Sequence, residues 1–311
     1  MSDKIPVTLI GGYLGAGKTT LVNHLLRNAG GRRLAVLVNE FGELPIDADL
    51  ITARDGNLIS ISGGCICCSF GSDLLAALMQ IRERREAIDH LLIETSGVAL
   101  PESIVQSLSL LPDLGLDGVI VMADAETIEQ RARDRYMGDT VRAQLAHADI
   151  IVLNKVDLVS PERLEAVSRW LVETEPRARV VPSQNAGIPL EIVVGQHAPR
   201  QPDTRLTPRS GRHTADYQAL HFEIDAPRDP ERLAAALAAT DSGLLRAKGF
   251  VRRFDGTFAA LHIVGRRAQV EPAPGWIEGP GRLVCIGLAD RIDRSAILAA
   301  IEASSIAPAG Y

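Results

Sequence analysis

Aromatic residues supply only 4% of this 311-residue chain, and no apolar run approaches the ~20 residues that a membrane-spanning helix requires. No secretory leader is expected either. The chain opens MSDKIPVTLIGGYLGAGKTT, and the apolar run Val7–Ile10 is too short to serve as a leader core. Long basic runs are absent, and a formal charge of -6 speaks against a nucleic-acid partner. Cysteine is scarce, with four in all, and a disulfide framework is not expected of a cytoplasmic chain. The expectation is a cytoplasmic protein with no membrane partner, in which clustered thiols stay reduced and point to metal or redox chemistry.

What is present is alternation. Val7–Ile10, Leu34–Val38, Leu91–Ile93, Gly118–Met122, Ile150–Leu153 and Arg179–Pro182 are short runs of continuous apolarity, the mark of parallel strands covered on both faces. Helical patterns lie between them, among them 72–85 and 161–173, the second with Ser160 as N-cap and Pro161 at its first position. The expected fold is α/β, a doubly wound, mostly parallel P-loop NTPase sheet over residues 1–195. Residues 196–216 are polar and rich in proline and arginine, without an apolar period, and read as a linker. Residues 217–311 predict a smaller α+β domain: a strand in YQALHFEID, a helix capped by Asp229, a hairpin around Asp255-Gly256, a strand in RLVCIGL and a closing helix. Cys285 reads as a buried core thiol, His221 and His262 as structural, and the basic run from Arg246 to Arg253 as a solvated face near an edge.

The first strand is followed at once by Gly12-Tyr13-Leu14-Gly15-Ala16-Gly17-Lys18-Thr19, a full match to the phosphate-binding loop, with Thr20 next in line. The glycines let backbone N–H groups converge on phosphates at a helix N-terminus. Lys18 reaches the β- and γ-phosphates in such a loop, and the Thr19 hydroxyl takes magnesium. The strand ending in LLIETSG places Glu94 where a second magnesium-side carboxylate belongs, and Gly97 where a backbone N–H can approach the γ-phosphate. Later, IIVLNKVD sets Asn154, Lys155 and Asp157 at a strand end. A carboxylate there accepts from guanine N1–H and the 2-amino group, which adenine lacks, and Lys155 can lay its stem over the ring. Ser183, after the next strand, is a backing contact for the base. GTP and GDP are preferred over ATP.

Three of the four cysteines fall in GGCICC: Cys65, Cys67 and Cys68. Thiolates are soft ligands that favour zinc and similar ions. A helix expected to begin near Gly71 lowers their pKa values through its dipole. Three ligands leave a tetrahedral site open, which suits an ion that must be passed on. A redox switch in the same thiols is the competing reading, and a P-loop small-molecule kinase is a more distant one. Glu40 and Glu43, in the segment Asn39–Glu43 after the second strand, are candidates for magnesium, water positioning or the transition metal.

The order GGYLGAGKTT, NEFGELPID, GGCICC, ETSGVALP and NKVD resembles the CobW-type family of P-loop GTPases, related to HypB and UreG and proposed to be GTP-dependent metallochaperones. LLRAKGFVRRFDG and LVCIGL are similar to that family's C-terminal domain. The resemblance implies slow GTP hydrolysis, a transition-metal cargo (zinc or cobalt) on the three cysteines, and a client metalloprotein or cofactor-synthesis enzyme. It leaves a homodimer open. Two departures stand out: Val38 occupies a position where some relatives carry a carboxylate, and the linker holds only His197 and His213 in place of a histidine-rich tract.

Overall fold

A computed structural model describes residues 4–38, 59–62, 72–195, 204–206, 216–275, 277 and 279–305. The chain divides into two compact units, one holding the described residues up to Val194 and the other those from Gly195 onward.

In the first unit the strands are β1 (Ile5–Gly12), β2 (Leu34–Val38), β3 (Ile59–Ser62), β4 (His90–Glu94), β5 (Leu114–Asp124), β6 (Ile150–Asn154) and β7 (Arg179–Pro182). They form one sheet in the order β3-β2-β4-β1-β5-β6-β7, and every pair is parallel. The sequence predicts six of them. The seventh, β3, is a four-residue Ile-Ser alternation at the sheet edge, too short and too mixed to give the continuous apolar signal of its neighbours.

The helices are α1 (Lys18–Arg27), α2 (Ser72–Glu83), α3 (Pro101–Ser109), α4 (Ile128–Ala132), α5 (Gly138–Ala146), α6 (Pro161–Thr174) and α7 (Leu190–Val194). Alternation along each strand decides which face a side chain serves. Val7 and Leu9 of β1 join Leu78, Ile104, Val141 and Val167, from α2, α3, α5 and α6, in one core cluster. Thr8 points the other way. Its hydroxyl donates to the Val193 carbonyl of α7 at 3.0 Å, and so accepts from His90 Nε2 at 2.8 Å, which fixes that nitrogen as the protonated one. α1 reaches the loop that precedes α7, with His24 Nε2 3.0 Å from the Ile188 carbonyl. α6 begins as its sequence predicts: Ser160 accepts from the Arg163 N–H, with Pro161 in the first turn.

The second unit is an antiparallel sheet in the order β12-β11-β10-β13-β9-β8. Its strands are β8 (Thr204–Leu206), β9 (Tyr217–Ile224), β10 (Leu244–Arg252), β11 (Phe258–Val264), β12 (Arg267–Pro272) and β13 (Gly281–Leu288). Helices α8 (Pro230–Ala239) and α9 (Arg294–Ala303) bury one face over Leu220, Ala247, Leu261 and Cys285. Burial pushes the Cys285 thiol pKa up, as fits an inert core thiol. Asp229 caps α8 by accepting from the Arg232 N–H. Asp255-Gly256 turns the hairpin, with Gly256 at φ 86° and the Asp255 carboxylate accepting from the Thr257 N–H.

Two expectations need correction here. The stretch read as a linker, without an apolar period, contributes β8, which pairs Leu206 with Tyr217 at the sheet edge. The basic run beginning at Arg246 lies in β10, the third of six strands, and Arg246 is 1% exposed. Charge suggested an edge. Pairing of β10 with both β11 and β13 places it inside.

Candidate nucleotide site

The carboxyl ends of β1, β4, β5 and β6 lie side by side in the sheet, and the loops that follow them carry the residues singled out above. Ligands of open α/β sheets bind at this edge.

Gly12, Gly15 and Gly17 all hold positive φ, at 128°, 75° and 107°. At Gly17 the need is double: a Cβ there would be strained, and it would lie 2.5 Å from the Asn154 amide nitrogen. Gly17 is the N-cap of α1, with no side-chain cap and no acidic residue in the first turn. The first-turn N–H groups thus carry no internal cap, the state in which a helix start receives an anion. Ala16 is buried in the loop, and Thr20 is exposed in the first turn. Lys18 Nζ donates to the Tyr13 carbonyl at 3.4 Å, which folds the lysine along its own loop.

Thr19 Oγ1 donates to Glu94 Oε1 at 2.8 Å, joining the start of α1 to the end of β4. Glu94 is 2% exposed. A hydroxyl beside a buried carboxylate is a hard-oxygen donor set, and its chemistry fits magnesium. Beyond Glu94 the chain passes Gly97, where a Cβ would lie 2.5 Å from Leu14 Cδ2 and 2.8 Å from the Leu14 N. Only glycine permits that approach between the two loops.

The base-side residues form a second constellation. Asn154 is buried at the end of β6, its Nδ2 donating to the Ala16 carbonyl at 3.0 Å and its Oδ1 accepting from the Ala186 N–H at 2.9 Å. It therefore ties the phosphate loop to the loop after β7. Lys155 adopts the left-handed region, φ 61°, a costly conformation for a side-chain-bearing residue. An ion pair to Asp124, 2.6 Å, holds its ammonium. Asp157 is exposed in the 3-10 turn Val156–Leu158. Ser183 is buried with no hydrogen-bond partner for its hydroxyl among the described residues, and its carbonyl accepts from the Val156 N–H at 3.3 Å. Glu40, Glu43, Cys65, Cys67 and Cys68 lie outside the described residues.

Asp124 and Gln144 belong to the same neighbourhood and escape a motif reading. Asp124 is an acidic residue at a strand's carboxyl end, the rule that singles out Glu94, applied to β5. Gln144 donates from Nε2 to the carbonyls of Gly97 at 3.1 Å and Ala99 at 3.0 Å. Its signal is a polar residue on the stripe formed by Val141 and Leu145.

Residues 6–182 match the family model described as CobW/HypB/UreG, nucleotide-binding domain, and residues 217–304 match the cobalamin synthesis protein cobW C-terminal domain. The chain belongs to the CobW/HypB/UreG family. Members of that family are P-loop GTPases. Among relatives, the zinc chaperone CobW of Sinorhizobium sp. is 31% identical over 346 residues, covering 96% of this chain and 97% of its own. The zinc chaperone CobW of Pseudomonas aeruginosa is 31% identical, with 94% and 90% covered. The zinc chaperone YjiA of Escherichia coli is 30% identical over 266 residues, with 80% and 82% covered. Among solved structures, Zn(II)-bound YjiA GTPase from E. coli aligns at a TM-score of 0.47 and 25% identity, over 97% of this chain and 99% of that one.

Proposed function

We propose that the chain is a GTP-dependent metallochaperone. Its cargo is a transition-metal ion, zinc first and cobalt second, held by the thiolates of Cys65, Cys67 and Cys68. The observation that carries the reading is the end-to-end similarity to proteins named zinc chaperones, at 31% identity over 96% and 94% of this chain. The nucleotide-side geometry supports it independently.

In this reading Lys18 and the first-turn N–H groups of α1 hold the phosphates, with Gly12, Gly15 and Gly17 shaping the loop around them. Thr19 and Glu94 hold magnesium, which when bound neutralises charge on the phosphate oxygens. Gly97 offers its N–H to the γ-phosphate. Asp157 accepts from guanine N1–H and the 2-amino group, Lys155 covers the ring, and Ser183 backs the base. Hydrolysis forms a bond from a water oxygen to the γ-phosphorus as the bond to the β–γ bridging oxygen breaks. GDP leaves with that electron pair, and the water proton ends on phosphate. Charge stabilisation without a supplied catalytic group implies slow intrinsic turnover.

Glu40 and Glu43 are candidates for magnesium, water positioning or the transition metal, and nucleotide state sets the affinity of the cysteine motif for its ion. The ion is then released to a client metalloprotein or cofactor-synthesis enzyme in the cytoplasm. The test is the double variant Cys67→Ser/Cys68→Ser, assayed for zinc stoichiometry and GTP binding. Lost zinc with retained GTP supports the assignment, and unchanged zinc stoichiometry sinks it.

A further inference from the structure

The loop from Glu94 to Leu100 carries Gly97, and the role of its neighbours rests on Gly97 being the γ-phosphate donor. Glycine has no Cβ to restrict its dihedral angles, so its N–H is aimed only if its surroundings aim it. Two neighbours do so. On one side Leu14 of the phosphate loop packs directly over Gly97. On the other, Gln144 of α5 reaches in and donates to both the Gly97 and Ala99 carbonyls.

A primary amide has two N–H hydrogens, and here each has one carbonyl of the loop. Gln144 is 1% exposed, so those bonds are made out of reach of competing water. A buried amide is tolerated where its donors are satisfied, and this loop is what satisfies them. Together the two bonds pin the carbonyls on either side of Val98.

α5 is itself tied back to the phosphate loop. The Arg142 guanidinium donates to the Ala132 carbonyl at the end of α4. The preceding residue, Arg131, lies over the Tyr13 ring at 5.3 Å from its centroid. A closed circuit of contacts runs from Tyr13 through α4 and α5 to Gly97 and back through Leu14.

We propose that Gln144 is a positioning residue for hydrolysis, holding the Gly97 loop in the one arrangement that meets a γ-phosphate. GDP has no γ-phosphate and does not depend on it. The test uses the full chain, with Gln144→Met, which keeps the length and removes the donors, and Gln144→Glu, which turns two donors into acceptors facing two carbonyls. Affinities for GDP and for a non-hydrolysable GTP analogue are measured beside kcat. In Gln144→Met, GDP affinity stays within about twofold, while analogue affinity and kcat each fall about tenfold, as one lost buried hydrogen-bonding group implies. Gln144→Glu falls at least as far. Unchanged kcat and analogue affinity in Gln144→Met overturn the proposal, as does an equal loss of GDP and analogue binding, which makes Gln144 a scaffold residue. A wild-type chain that binds both nucleotides without turning over GTP defeats the hydrolysis reading instead, and the analogue-to-GDP ratio still decides on Gln144.

Discussion

The phosphate end and the base end of the site are built from different materials. At the proposed phosphate end the groups on offer are mostly backbone: glycines with positive φ, the start of α1, and a lysine lying along its own loop. At the proposed base end they are side chains, with Asn154 tied to Ala16 and Ala186, Lys155 paired with Asp124, and Asp157 exposed. A backbone cradle reads charge and little else, because every nucleotide carries the same phosphates. A side-chain constellation reads the identity of the base. Asn154 spans both, through the carbonyl of Ala16 and the N–H of Ala186.

That contrast can be broken from either end. Lys18→Ala has the largest expected effect. Removing a cation aimed at the transferring phosphoryl group lowers kcat on the order of 100- to 1000-fold, measured by phosphate release, and fails equally with any nucleotide triphosphate. Asn154→Ala comes next. It leaves the buried Ala16 carbonyl and Ala186 N–H without their partner, at about 1–3 kcal/mol of stability, read in a denaturant titration. The same variant weakens GTP and GDP together, since it loosens both ends. Asp124→Asn has the smallest effect. Its partner Lys155 is a third exposed, so solvent screens the pair and the loss is ~1 kcal/mol or less. It should appear as a severalfold rise in the Kd of GTP and GDP alike, with inosine and guanine nucleotides still distinguished through Asp157. An Asp124→Asn chain that binds ATP as well as GTP would contradict the division of labour.

Motifs made the phosphate end legible in the sequence, because contiguous residues do the work there. Gly12 to Thr19 is one unbroken segment, and Ser160 and Pro161 announce α6 just as locally. The parts that escaped depend on distance along the chain. Gln144 touches Gly97 across 47 positions, and Asp124 meets Lys155 across 31. No short pattern encodes either pairing. Sheet order is hidden for the same reason: Arg246 to Arg252 reads as a polar edge until β10 is seen between β11 and β13. Edge strands β3 and β8 are four and three residues long and lack the continuous apolarity that marks the buried strands.

Coupling between nucleotide state and metal binding is measured as a ratio of affinities. Zinc Kd is determined by chelator competition on the full chain, once with GDP and once with a non-hydrolysable GTP analogue, each with magnesium. If nucleotide state and metal binding are coupled as proposed, the values differ by about tenfold or more, a coupling of roughly 1.4 kcal/mol, and the difference vanishes when Cys65, Cys67 and Cys68 are replaced by serine. Equal zinc affinity in the two nucleotide states would contradict it, whatever the cysteines bind.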